Sequence, residues 1–161
     1  MDDRIRVLFV DDEQEFLEYT AKRLRLRDLA VTAYLSPTAA LAATEGQQFD
    51  VALLDLKMPE MDGEALLAEL KARDPFLEIV ILTGHGTVNS AFRTSRAGAV
   101  AFLQKPCAFD DVVRAISEAY ARRIAARSAN KTERVDALLK RSKGMSPLEL
   151  LDEIKKIQSE R

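Results

Sequence analysis

Val51-Ala52-Leu53-Leu54-Asp55-Leu56-Lys57-Met58-Pro59-Glu60-Met61-Asp62-Gly63 sets a fully apolar run directly before a carboxylate. Asp55 ends what reads as a buried strand, a turn follows through Pro59, and an Asp-Gly step leads into a new helix. Taken alone, Asp55 is as readily a turn residue as a functional one. In an open parallel sheet, however, chemistry collects at the carboxyl ends of the strands. The other strand ends therefore decide what Asp55 is for.

Upstream, Ile5 to Val10 is a near-continuous apolar run ending in Asp11-Asp12-Glu13. A run without clean alternation is the pattern of a strand buried on both faces. Phe16, Leu17, Thr20 and Leu24 recur at helical spacing to about Arg27, and Ala30 to Tyr34 is a second strand. Ser36-Pro37 reads as an N-cap followed by proline at the first helical position, opening a helix to about Glu45 with Gly46 as its stop. Downstream of the third strand, Asp50 to Leu54, a helix covers Glu64 to Ala72 and ends at Asp74-Pro75. Glu78 to Leu82 is a fourth strand finishing at Thr83-Gly84, and the helix from Val88 to Ala97 stops at Gly98. Val100 to Leu103 is a fifth strand ending in Gln104-Lys105-Pro106, before a long helix from Phe109 to roughly Arg127. Five alternations of strand and helix predict an α/β fold, a doubly wound five-stranded parallel sheet. Spacing alone leaves the order of the strands open.

Composition narrows the class. The chain has 161 residues, 47% apolar and 31% charged, which suits one soluble globular domain. No apolar run is long enough to span a membrane, and the acidic, strand-forming N-terminus is unlike a signal peptide. Cys107 is the single cysteine, so an intramolecular disulfide is excluded and a reducing, cytoplasmic setting is expected. Cys107 itself reads as a small buried residue. The net charge of −2 is unevenly spread: from Arg122 onward 11 Lys and Arg face 6 Asp and Glu, leaving an acidic body and a basic tail. The tail reads as a solvated helical surface, and no direct DNA binding is expected.

The polar strand ends are Asp11 and Asp12, Asp55, Thr83 and Lys105. If their strands are neighbours, three carboxylates, a hydroxyl and an ammonium share one pocket. Clustered carboxylates repel and call for a counter-charge. A hard divalent cation such as Mg²⁺ answers that need with carboxylate, carbonyl and water ligands. With Lys105 and the Thr83 hydroxyl beside it, the set suits phosphoryl transfer to Asp55 as nucleophile. Structural alternatives exist for each residue: Asp11 and Asp12 as caps of the first helix, Thr83 as a turn residue, Lys105 as a solvated strand end.

These pieces resemble the receiver domain of two-component response regulators. The matching motifs are Val10-Asp11-Asp12-Glu13, the Asp55-to-Gly63 block, Thr83-Gly84, Gly98-Ala99 and Lys105-Pro106, over about residues 4 to 125. The wording of the Asp55 block and of Thr83-Gly84-His85-Gly86-Thr87 is similar to receivers that precede ATPase-type transcriptional activators. The resemblance implies a flavodoxin-like sheet of order 2-1-3-4-5 and phosphorylation of Asp55 by a histidine kinase or phosphotransfer protein. It implies Mg²⁺ held by Asp12, Asp55 and the Lys57 backbone carbonyl, with Asp11 assisting. Thr83 and Lys105 would contact the phosphoryl group. Phe102 falls at the family's aromatic switch position, with plain core packing as its alternative. Lys57 and His85 occupy positions that tune dephosphorylation in the family. Such a domain is not an enzyme on other substrates; it catalyses its own phosphoryl transfer and slow dephosphorylation. An aspartyl-phosphate hydrolase would need an acid where Lys57 stands.

The expected division is a receiver over 1–125 and a helical C-terminal extension over 126–161. Ser128 to Lys131 reads as a polar break or as a continuing helix, and Ser146-Pro147-Leu148-Glu149 as a capping box opening a last amphipathic helix. Two short helices cannot bury Leu148, Leu151, Ile154 and Ile157 by themselves. They require the receiver, a second copy or a partner. The signalling output is expected from a partner or a homodimer, through the fourth helix, fifth strand and fifth helix or through the C-terminal helices. The alternatives are a receiver fragment of a larger DNA-binding or ATPase regulator and an unphosphorylated scaffold.

Overall fold

The apolar runs become β1 (Arg6–Val10), β2 (Ala30–Tyr34), β3 (Val51–Leu54), β4 (Glu78–Thr83) and β5 (Ala99–Gln104). The computed structural model describes residues 2–160. All neighbouring strands pair in parallel, in the order β2-β1-β3-β4-β5. Between them lie α1 (Gln14–Leu26), α2 (Pro37–Ala43), α3 (Gly63–Arg73) and α4 (Val88–Arg96), followed by α5 (Phe109–Lys140) and α6 (Pro147–Ser159). This is the doubly wound fold expected from the strand and helix alternation.

Successive strand residues point to opposite faces, and each face has its own core. Val7, Phe9, Leu53 and Val80 pack with Leu17 and Leu24 of α1 and Ile116 of α5. Leu8, Val10, Leu54 and Ile81 pack with Leu41 of α2 and Leu66 and Leu70 of α3. β1 and β3 are thus covered on both sides, which is why their sequences run apolar without alternation. Local capping agrees with the sequence. Ser36 accepts from the Ala39 amide with Pro37 behind it, Asp62 accepts from the Ala65 amide, and Gly98 follows α4 at φ +109°.

The chain divides into two compact units, one up to Arg123 and one from Ile124 on. α5 runs past Arg127: of the two readings of Ser128 to Lys131, the continuing helix holds, and it extends as one helix to Lys140. No glycine or proline interrupts Phe109–Lys140, and the Ser128, Asn130 and Thr132 of its polar stretch each cost only about 0.7 kcal/mol or less relative to alanine. The helix ends at Lys140, and Gly144, with φ +94°, lies in the turn that leads to α6. In the second unit, Leu138 of α5 and Ile157 of α6 are the buried apolar residues. Arg134 pairs with the Glu160 carboxylate, and Lys131 donates to the Gln158 and Glu160 carbonyls. α6 opens with the expected capping box of Ser146 and Glu149.

Candidate functional site at the carboxyl edge of the sheet

β1 and β3 are neighbours, so the residues that follow them stand side by side. The Asp11 amide donates to the Tyr34 carbonyl at 3.2 Å and the Asp55 amide to the Val10 carbonyl at 3.1 Å, carrying the ladder one step past the strand ends. Both side chains are buried there. On the other side, the Lys105 amide donates to the Thr83 carbonyl at 2.8 Å, which brings the Lys105 side chain back over β4. Its ammonium lies 2.6 Å from Asp11 Oδ2, 3.4 Å from Glu13 Oε1 and 3.7 Å from Asp55 Oδ2. It also sits 4.0 Å from the centre of the Phe16 ring, a contact that desolvates it on one side. Glu13 and Phe16 were not legible as Lys105's neighbours, because both lie in what reads only as the start of α1.

The two Asp55 oxygens differ. Oδ1 accepts from the Leu56 amide at 2.7 Å. Oδ2 has no hydrogen-bond donor, and it is the one buried side-chain polar atom so placed among the described residues. A polar oxygen buried without a donor costs free energy that the fold must supply elsewhere. Asp11, Asp12 and Asp55 each bring a carboxylate oxygen within 4.8 Å of the others, with Asp12 exposed at the rim. Neither Asp11 nor Asp12 caps α1, whose N-cap is Glu13 with no side-chain cap bond. Asp11 Oδ1 does accept from the Glu13 amide at 2.9 Å.

Three carboxylates against one close ammonium leave the cluster overcharged. Burial, aided by the Asp55 charge, raises the Asp11 carboxyl above its ordinary range despite the Lys105 hydrogen bond and the Glu13 amide. Burial acts to lower Lys105, but the Asp11 hydrogen bond and the charges of Asp11, Asp55 and Glu13 outweigh it and hold the ammonium above its ordinary value. Lys105 is therefore a fixed positive charge. The donor chemistry of Asp11, Asp12 and Asp55, all oxygen, is of the kind that hard divalent ions take.

Gly63 explains the close fold of the loop. A Cβ there would lie 2.1 Å from the Asp55 carbonyl oxygen, and the Gly63 amide donates to the Leu56 carbonyl at 2.8 Å. Only glycine lets the start of α3 close on the Asp55 backbone. Thr83 is buried, and its hydroxyl oxygen accepts from the His85 amide at 3.1 Å, leaving its proton free to donate. Phe102 is half-buried and packs on the α2 and α3 side core, with its ring 2.7 Å from where a Cβ on Gly86 would be. Lys57 and His85 stand exposed at the rim. Cys107 is exposed rather than buried, since it lies in the loop after Pro106 and not on a strand. Partial burial and the Asp111 charge raise its thiol pKa, so it is not an activated nucleophile.

The family profile of the response regulator receiver domain matches residues 7–117. The chain belongs to that family. The receiver is 32% identical over 117 residues to the C4-dicarboxylate transport transcriptional regulatory protein DctD of Rhizobium meliloti, covering 73% of this chain and 25% of that protein. It is 34% identical over 113 residues to the DNA-binding transcriptional regulator NtrC of Salmonella typhimurium, covering 70% and 24%. The chain thus spans about a quarter of the length of these curated relatives. Among solved structures, a response regulator receiver domain protein from Clostridium thermocellum superposes with a TM-score of 0.72 at 32% identity, covering 76% of this chain and 98% of the other. NtrX from Brucella abortus gives a TM-score of 0.76 at 27% identity, covering 80% and 30%. Among the described residues, no helix is long and apolar enough to cross a membrane.

Proposed function

We propose that this receiver is a phosphorylation-dependent switch of a cytoplasmic two-component system, with residues 1–125 as the switch and 126–161 as its helical extension. The observation that carries the reading is Asp55 Oδ2, buried and without a donor, 3.7 Å from the Lys105 ammonium. The Asp55 carboxylate attacks the phosphorus of a phosphohistidine on a kinase or phosphotransfer protein. An O–P bond forms, the P–N bond breaks, and the imidazole nitrogen leaves with the electron pair. Asp11, Asp12, Asp55 and the Lys57 backbone carbonyl are the residues that would hold Mg²⁺. When bound, that ion supplies charge neutralisation on the phosphoryl oxygens. Lys105 pairs with one phosphoryl oxygen and the Thr83 hydroxyl donates to another. Thr83 moving toward the phosphate lets Phe102 turn further inward, and this repacking is the signal. Lys57 and His85 at the rim set water access, and with it the lifetime of the acyl phosphate.

The output surface is α4 with β5 and the first part of α5, where Val88 and Phe92 are exposed, or the C-terminal helices, where Leu148 and Leu151 are exposed. Either face would serve a protein partner or a second copy. A second reading is a receiver cut from a longer regulator, favoured by relatives that carry transcriptional regulatory names and are about four times as long as the matched segment.

Intact mass after incubation with acetyl phosphate tests the switch chemistry. The expected result is a Mg²⁺-dependent gain of one phosphoryl group that Asp55→Asn abolishes. Sizing with light scattering on the same samples reads dimerisation as the output. If neither acetyl phosphate nor beryllofluoride perturbs the protein, the scaffold reading replaces this one.

A further inference from the structure

The loop between Asp55 and α3 contains a strained residue that the switch chemistry leaves unexplained. Glu60 has φ +70°, and the Met61 amide donates to the Pro59 carbonyl at 2.8 Å, closing a three-residue turn around it. A γ-turn of this hand is rare and strained for a residue with a side chain. Asparagine or glycine would be the ordinary occupant of such a backbone, so the glutamate needs another reason to be there. Its carboxylate supplies one. The Thr38 hydroxyl donates to Glu60 Oε2 at 2.7 Å, and the Ser36 hydroxyl lies 3.4 Å from the same oxygen and 3.5 Å from Oε1. Ser36 and Thr38 are themselves 2.9 Å apart at the start of α2, where Ser36 is the N-cap. The strained turn is thus tied across to a different βα loop.

We propose that Glu60 is a positioning residue: its tether to Thr38 and Ser36 holds the Lys57–Met61 loop in the shape that offers the Lys57 carbonyl to a divalent cation at Asp11, Asp12 and Asp55. This rests on the reading of Lys57 as a carbonyl ligand. The tether works against the backbone preference of residue 60, so affinity for the ion and stability of the fold respond to it with opposite sign. Groups one layer out from a metal commonly set its affinity by orienting the ligands.

The test is Mg²⁺ affinity of the full chain, followed by calorimetric titration, alongside thermal melting without the ion. Glu60→Gly relieves the φ strain and removes the carboxylate. It is expected to melt no lower than wild type yet bind Mg²⁺ about tenfold more weakly. Thr38→Val, which leaves Glu60 and its turn in place, is expected to weaken binding in the same direction. Combined with Glu60→Gly it should add nothing further, because both changes cut one tether. Glu60→Gln keeps an oxygen acceptor for Thr38 and is expected to restore most of the affinity. Unchanged affinity in both Glu60→Gly and Thr38→Val overturns the proposal, as does a glutamine variant no better than glycine. If wild type binds no Mg²⁺ in an Asp55-dependent way, the metal reading falls instead. Hydrogen exchange at the Lys57 and Met61 amides then decides the tether by itself. Faster exchange in Thr38→Val upholds a tether, and wild-type exchange removes it.

Discussion

The two ends of this sheet each carry a cluster of buried charge, and they are built on opposite terms. At the amino-terminal edge, Asp50 accepts from the Arg6 amide and guanidinium on Oδ2, at 2.9 and 3.1 Å. Its Oδ1 accepts from Arg6 at 2.8 Å and from Arg123 at 3.2 Å, while Arg123 also donates to Asp74 at 3.0 Å. Two carboxylates meet two guanidiniums, and every Asp50 oxygen is used. At the carboxyl-terminal edge, Asp11, Glu13 and Asp55 all face the single ammonium of Lys105, Asp12 stands beside them, and Asp55 Oδ2 has no donor. A buried aspartate at each edge, Asp50 and Asp55, therefore means different things. The balanced cluster is structural, fastening α5 beneath the strands. The overcharged one leaves Asp55 Oδ2 buried without a donor, an imbalance of the kind that gathers at functional sites, where stability is given up for function.

Thermal melting separates the two clusters most sharply. Removing one partner from a buried, fully paired set costs about 3–5 kcal/mol. Asp50→Ala should therefore lower the melting temperature by roughly 10 °C or more. Removing a carboxylate charge at the other edge should have the opposite sign: Asp55→Asn removes a charge that is already in excess and should stabilise by about 1 kcal/mol. Mg²⁺ at about ten times its dissociation constant should stabilise wild type by roughly 1.4 kcal/mol. It should leave the melting of Asp55→Asn nearly unmoved. An Asp55→Asn protein that melts below wild type in the absence of Mg²⁺ would mean that the carboxyl-edge cluster is structural too, and the contrast would collapse.

How much of this was legible follows from sequence distance. Asp55, Asp11 and Thr83 could be read because each directly follows an apolar run, and Lys105 because it follows one after a single glutamine; in a parallel sheet that position alone assigns them to one edge. The amino-terminal cluster gave no such signal. Asp50 reads as the start of a strand, and its partners lie 44 and 73 residues away. Arg123 lies in a basic stretch of α5 that reads as solvated surface, yet it is buried. Glu60 was equally opaque, because glutamate is no turn signal and the sign of φ is set by the loop closing on Gly63 and α2. The length of α5 stayed open between two readings: Ser128 to Lys131 is polar enough to look like a break, but polarity does not stop a helix when glycine and proline are absent, and the helix continues.

Acid titration gives the smallest effect, and the sign distinguishes the clusters. Burial acts to raise the Asp50 carboxyl, but the Arg6 hydrogen bonds and the Arg6 and Arg123 charges overcome it and hold the group below its ordinary 3.8. The unfolded chain therefore takes up the Asp50 proton first as pH falls, and in that window it binds more protons than the folded chain. Stability from Asp50 is thus complete above about 3.8 and is lost as pH drops through the lowered folded value. One such proton contributes a slope of at most about 1.4 kcal/mol per pH unit, and less here because Arg6 is partly exposed to solvent. Denaturant unfolding of wild type and Asp50→Asn between pH 5 and pH 3, on about this scale, should show the steeper loss in wild type alone. Parallel pH profiles would mean that Asp50 ionises as it does in the unfolded chain, and that the amino-terminal cluster is no better paired than the site across the sheet.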